Sequence, residues 1–141
     1  MRRFLCLLSV ASVAFAPAPV YEPNPAKEDW KDIQGAWVME YDVTNGVRTK
    51  ASDVVVWLIE GNRLSTSLNG KAASVLSIAL DTRTTPRSFD LWESKENGGR
   101  ALGRYRLTGD VLEVSSAAQR PAGLSGDHPS DGVSFFRRKK P

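Results

Sequence analysis

The sequence predicts an all-β fold: a small antiparallel up-and-down barrel of about eight strands behind a short N-terminal helical turn. Three observations carry this. Apolar residues recur with a period of two along most of the chain, turn chemistry separates nearly every pair of such runs, and no stretch of ten or more residues carries a helical period. Mostly short connections favour pairing between sequential strands, and closing the sheet removes exposed edges, so a barrel is preferred to an open sandwich.

The elements follow in order. Arg2 and Arg3 precede Phe4–Phe15, an apolar run too short for a stop-transfer helix but suited to the core of a secretory leader. Ser12-Val13-Ala14 and Ala14-Phe15-Ala16 are the candidate cleavage sites, so residues 1–16 read as a signal peptide and the protein as exported to the periplasm or beyond. Pro17, Pro19, Pro23 and Pro25 space residues 17–26 as an extended linker. The folded domain is then 27–141. It opens with a helical turn over Lys27–Ile33, where Trp30 and Ile33 share a side, and Gly35 ends it.

Trp37, Met39, Tyr41 and Val43 alternate with their neighbours as a half-buried strand, closed by the hairpin signal Asn45-Gly46. Val54–Ile59 is a continuous β-branched and aromatic run, suited to a strand buried on both faces or passing through the core. Gly61-Asn62 leads to Arg63–Leu68, and Asn69-Gly70 to Ala73–Leu80. Thr84-Thr85-Pro86 breaks the pattern before Ser88–Glu93, and Asn97-Gly98-Gly99 turns it into Ala101–Leu107. Thr108-Gly109-Asp110 precedes Val111–Ser115. A long Gly/Pro/Ser loop, Ala117–Gly132, then leads to the final strand Val133–Arg138. Trp37, Trp57, Trp92 and Tyr105 are read as core or barrel-end plugs, and Asp90 as facing solvent.

The residues Gly35-Ala36-Trp37, placed after a helical turn at the start of the first strand, resemble the G-x-W of lipocalin-like barrels. That resemblance implies a Trp closing one end of the barrel, with Arg137 or Arg138 of the last strand packed across it. A wider resemblance runs through Ile33-Gln34-Gly35-Ala36-Trp37, Glu60-Gly61-Asn62, Pro86-Arg87-Ser88-Phe89-Asp90-Leu91, Gly103-Arg104-Tyr105-Arg106-Leu107-Thr108-Gly109-Asp110-Val111-Leu112 and Arg120-Pro121. This order is similar to a family of small, often exported domains abundant in planctomycete bacteria, which has no assigned activity. Many of its members carry a Cys near the position of Val114 or Ser115, absent here.

Chemistry is sparse. The one cysteine, Cys6, lies in the leader, which leaves the exported chain without a disulfide, a Cys-based zinc site or a thiol nucleophile. The only histidine, His128, sits with Asp127 and Asp131 in a spacing that matches no metal motif, and solvated loop residues are the simpler reading. Ser125 or Ser130 beside His128 lacks the setting of a nucleophile, and Glu93 with Glu96 lacks an enclosing cleft. The expectation is a protein that is not an enzyme and uses no cofactor or metal. Without the leader the chain has 17 basic and 16 acidic residues, with four of the bases at Arg137–Lys140. Basicity gathered at one end does not make a nucleic-acid groove. Two functions stand open: a barrel holding a small apolar ligand, with Trp37, Tyr41, Trp57 and Tyr105 as candidate lining, or a solid-core envelope module contacting a protein or an anionic surface through its loops and basic C-terminus.

Overall fold

The computed structural model of the chain describes residues 25–94, 98–117, 121, 124 and 132–141. The leader, all of the linker before Pro25, Glu96 and the loop residues Arg120, Ser125, Asp127, His128, Ser130 and Asp131 lie outside the described residues. Helix α1 spans Pro25–Asp32, so it starts inside the stretch read from sequence as linker. Among the described residues nine strands follow: β1 Gly35–Thr44, β2 Val47–Lys50, β3 Val55–Glu60, β4 Arg63–Leu68, β5 Lys71–Asp81, β6 Arg87–Trp92, β7 Arg100–Thr108, β8 Val111–Ala117 and β9 Val133–Arg138. Every pairing is antiparallel, in the order β2-β1-β3-β4-β5-β6-β7-β8-β9, and β1 also pairs with β9. Eight strands therefore close into an up-and-down barrel. β2 is the extra strand: it continues the line of β3 along β1, pairing Tyr41–Thr44 where β3 pairs Gly35–Val38. Among the described residues, no helix is long and apolar enough to cross a membrane.

The turns behave as their residues dictate. Asn45, Gly46, Asn69, Gly70, Gly61 and Gly109 all have positive φ, the region that two-residue hairpin turns require and that Asn and Gly enter at least cost. Asn69 is tied further. Its side chain accepts from Val54 N–H at 2.8 Å and donates to Asp53 at 2.9 Å, stitching the β4–β5 turn to the start of β3.

Register decides which side chains meet. Trp37 lies opposite Trp57, Ile59 opposite Leu64, Ile78 opposite Leu91 and Tyr105 opposite Val114, and these form one interior with Phe89, Leu112 and Phe136. β3 is accordingly not buried on both faces: Val55, Trp57 and Ile59 point in, while Val54 and Leu58 are exposed on the outer surface. The run looks uniformly apolar because β-branched residues suit a strand on either face. Trp92 likewise leaves the core. It pairs with Ser77 on the outer face and is 38% exposed.

Of the described glycines, Gly103 leaves the least room for a side chain. A Cβ there would lie 2.1 Å from Cζ of Phe89, whose ring occupies the space over the β7 backbone. Gly103→Ala is expected to cost about 1–3 kcal/mol through overpacking, read as a lower urea midpoint. Adding Phe89→Leu should recover part of the loss; a Gly103→Ala protein as stable as the parent would contradict this packing.

Candidate functional site

The two ends of the barrel are built differently. At one end α1 is fastened as a plug. Trp37, fully buried, donates its indole N–H to the Ile33 carbonyl at 2.8 Å, which explains why a Trp must follow the helix by a few residues. The Arg138 guanidinium lies 4.3 Å from the Trp37 ring centroid, donates from Nη1 to the Gln34 carbonyl at 2.8 Å, and reaches the Asp32 carbonyl with Nη2. A cation is thus placed where the helix exposes unpaired carbonyls, and it covers the indole at the same time. Arg138 Nε also donates to Asp110 at 3.2 Å. Gln34 completes the closure with a two-way amide pair to the backbone of Gly61 in the β3–β4 turn, at 2.6 and 3.2 Å.

Of the two arginines that sequence left open, Arg138 therefore crosses Trp37. Arg137 points outward and pairs with Glu40 at 2.6 Å. Lys140 lies 3.8 Å from Asp110. Three of the four basic residues at the C-terminus are thus engaged with the barrel's own carboxylates.

A polar cluster beneath α1 has no signal in the sequence. Asp29 is 5% exposed; it accepts the Tyr105 hydroxyl at 2.5 Å and an Nη1–H of Arg87. These residues stand far apart in the chain, and an acid in a short polar helix reads as solvated. Tyr105, one of the candidate ligand residues, is thereby committed to holding the helix, with its ring tilted against Phe89. Burial first, and then the hydrogen bond to Asp29, hold its phenol well above the ordinary value of 10.0.

Tyr41 is also displaced from the role the alternation suggests. The β1–β9 register shifts between Met39 and Tyr41: Met39 faces Phe136 in the core, but Tyr41 faces Phe135 on the opposite side. One extra residue reverses every side chain beyond it. Tyr41 consequently lies on the outer surface, stacked on Phe135 at 4.5 Å with the Arg48 guanidinium 3.5 Å from its ring. The same slip turns Asp42 inward, where it accepts the Ser134 hydroxyl at 2.6 Å.

Pro121, among the described residues between β8 and β9, is held from β7. Arg104 donates to the Pro121 carbonyl at 2.7 Å and to the Pro86 carbonyl at 3.0 Å, and Pro121, Leu124 and Val133 are buried. Arg104, Tyr105 and Pro121 thus have structural work that accounts for their place in the motifs read from sequence.

The end opposite α1 is the candidate site. Near the helix the inward-facing residues are large and mostly buried, with Trp37, Ile59, Leu64, Ile78, Tyr105, Leu112 and Phe136 buried and Leu80 and Leu107 partly so. Toward the other end they become small or hydroxylated, with Thr66, Ser74, Ala101, Ser116 and Ser134 in inward register positions. Thr66 and Ser74 bond each other at 2.6 Å. Met39, Val55, Trp57, Leu76 and Ala101 pack on the core from this side yet stay partly exposed. Leu68, at the lip opposite Val55, is 45% exposed. Trp57, stacked on Phe136 at 4.6 Å, is the aromatic floor of this mouth. A cleft lined by Ala72–Val75, Glu93 and Ser94 opens beside it at the rim. Of the four residues proposed from sequence as lining, only Trp57 is placed here. Trp37 and Tyr105 belong to the plugged end, and Tyr41 to the outside.

What these features define is a class: an eight-stranded meander barrel, plugged at one end by a helix and tapering to small side chains at the other. No protein-family model, curated protein or solved structure matches the chain.

The Tyr105 phenol has a folded-state pKa raised above its unfolded value, so the fold favours its neutral form. Its contribution to stability is whole below about pH 10 and is lost as pH rises beyond that. Urea midpoints of the parent should fall more steeply above pH 10 than those of Tyr105→Phe. Phenolate absorbance should likewise show one tyrosine resisting ionisation until the fold is lost; equal slopes and full titration would refute the buried Asp29 contact.

Proposed function

We propose that this protein is a non-enzymatic binding domain that takes a small, largely apolar ligand into the unplugged end of its barrel. The observation that carries the reading is the change of the inner wall toward that end, where Met39, Val55, Trp57 and Leu76 stay partly exposed beside small and hydroxylated inward residues. An eight-stranded barrel is just wide enough either to fill itself or to hold one small ligand. Here the fully buried large residues Trp37, Ile59, Leu64, Tyr105 and Leu112 lie toward the helix end. Small residues on the opposite inner wall shorten the side chains just where a ligand would sit. Export, expected from the leader, places such a domain in the periplasm or outside the cell. The resemblance to the exported lipocalin-like family agrees with this reading without adding an activity.

The alternative, a solid module docking through its basic C-terminus, draws less support, since Arg137, Arg138 and Lys140 already face Glu40 and Asp110.

The test is binding of a neutral apolar probe such as decanol or a naphthalene, followed by Trp fluorescence and calorimetry. The parent should bind with quenching or a blue shift, and Trp57→Phe should remove most of the fluorescence change while leaving the melting temperature within a few degrees. Tyr41→Ala, on the outer surface, should bind as the parent does. If no apolar probe binds, or Tyr41→Ala weakens binding as much as a change at Trp57 or Leu76, the mouth is not the site.

A further inference from the structure

Within the ligand class, the structure assigns a head group: we propose that the bound molecule is an amphiphile whose apolar part rests on Trp57 and whose protonated amine is held by Asp42. This rests on the reading of the mouth as a ligand site and adds the chemistry of its polar contact.

The argument begins with the bulge. Without the extra residue between Met39 and Tyr41, Asp42 would point to solvent like any acid on an alternating strand; with it, Asp42 shares the inner face with Ser134 and Val114. Of the carboxylates on the described strands, the others lie on the outside or end a strand there, several in ion pairs: Asp90 with Arg100, Glu113 with Arg106, Glu40 with Arg137 and Asp81 with Arg83. Asp42 has no ion pair among the described residues. Its structural partner is a hydroxyl, Ser134, on Oδ1. A carboxylate held in a half-buried, otherwise apolar and hydroxylated wall is stabilised most by a donor that carries positive charge.

The cations that face inward cannot serve. Arg87 is occupied by Asp29, and Arg138 by Asp110 and the helix carbonyls, both at the plugged end. Lys71 stands at the lip beside Leu68, three strands round the barrel from Asp42 in the order β1-β3-β4-β5. A ligand with a carboxylate head would have to turn toward Lys71. One with an amine head would turn toward Asp42, deeper in the wall and already oriented by Ser134. The two poles make the head group a readable property of the site.

Three ten-carbon probes separate the outcomes: decylamine, decanol and decanoate, each below its micelle concentration, titrated calorimetrically into the purified protein at pH 7. Decylamine should bind about tenfold or more tighter than decanol, the range of a charge-assisted bond in a partly wet site. Asp42→Asn keeps an oxygen for the Ser134 hydroxyl, and should bring decylamine to the decanol level while leaving decanol unchanged. The comparison on the parent protein stands without the variant. Equal binding of amine and alcohol, tighter binding of decanoate, or an amine preference that survives Asp42→Asn would each overturn the assignment while leaving the mouth as the site. Binding of none of the three would overturn the mouth itself, and the assignment with it.

Discussion

The pairing of β1 with β9 is the constraint on which the rest of the molecule depends. Every other strand contact joins neighbours in sequence, or in the case of β1–β3 skips only the short β2, and would form as readily in an open, twisted sheet. Only the β1–β9 ladder joins the two ends of the meander, and it brings Arg138 onto Trp37 and, through it, onto the last carbonyls of α1. Closure and plugging are therefore joined through one side chain. The final strand completes the seating of the helix, because the guanidinium that caps it belongs to that strand, while Asp29 and Gln34 hold it from β6, β7 and the β3–β4 turn. The loop-closure entropy of bringing residue 138 back to residue 37 is met at a single point by apolar burial, a cation–π contact and charge-assisted hydrogen bonds together.

Much of this was legible in the residues, for reasons that are local. Asn-Gly and Gly-Asn pairs mark hairpins because so few residue types accept positive φ, and strand alternation marks the inner face wherever the ladder is regular. The short helix, the G-x-W and the closing Arg sit near one another because a Trp just past a helix can return its indole N–H to that helix. What escaped the sequence depends on non-local facts. A bulge leaves no signature in Met39-Glu40-Tyr41, so Tyr41 looked inward and Asp42 outward, and both are reversed. β2 was invisible because Val47–Lys50 is short and exposed throughout. Asp29 looked like a solvated helix acid, since Tyr105 and Arg87 reach it from strands formed much later in the chain.

The reversal at the bulge also explains why two aromatic residues so alike in sequence serve different ends. Trp57 lies in the continuous apolar run of β3 and Tyr41 in the alternating run of β1, which pairs with both β3 and β9. Trp57 follows a regular ladder and stacks on Phe136 inside; Tyr41 follows the slip and stacks on Phe135 outside. The adjacent phenylalanines of β9 thus give the strand an aromatic contact on each face. The outer contact is made with β1 itself and the inner one reaches past β1 to β3, so the strand that closes the ring is held on both faces.

The gradient of side-chain size along the barrel axis is the last link between fold and function. A closed eight-stranded meander could pack large residues along its whole length, and a domain with no disulfide expected would gain stability by doing so. This one places Trp37, Tyr105 and Phe136 at the helix end and Thr66, Ser74, Ala101, Ser116 and Ser134 toward the other. The plug supplies at one end the burial that the open end gives up. That trade is pointless for a spacer whose only task is to fold, because each small inner residue sacrifices apolar area at roughly 25 cal/mol per Å². It has a purpose if the open end must admit a molecule that restores the missing contacts on arrival, and the aromatic floor at Trp57 with the inward carboxylate at Asp42 gives that molecule an apolar part and a polar one.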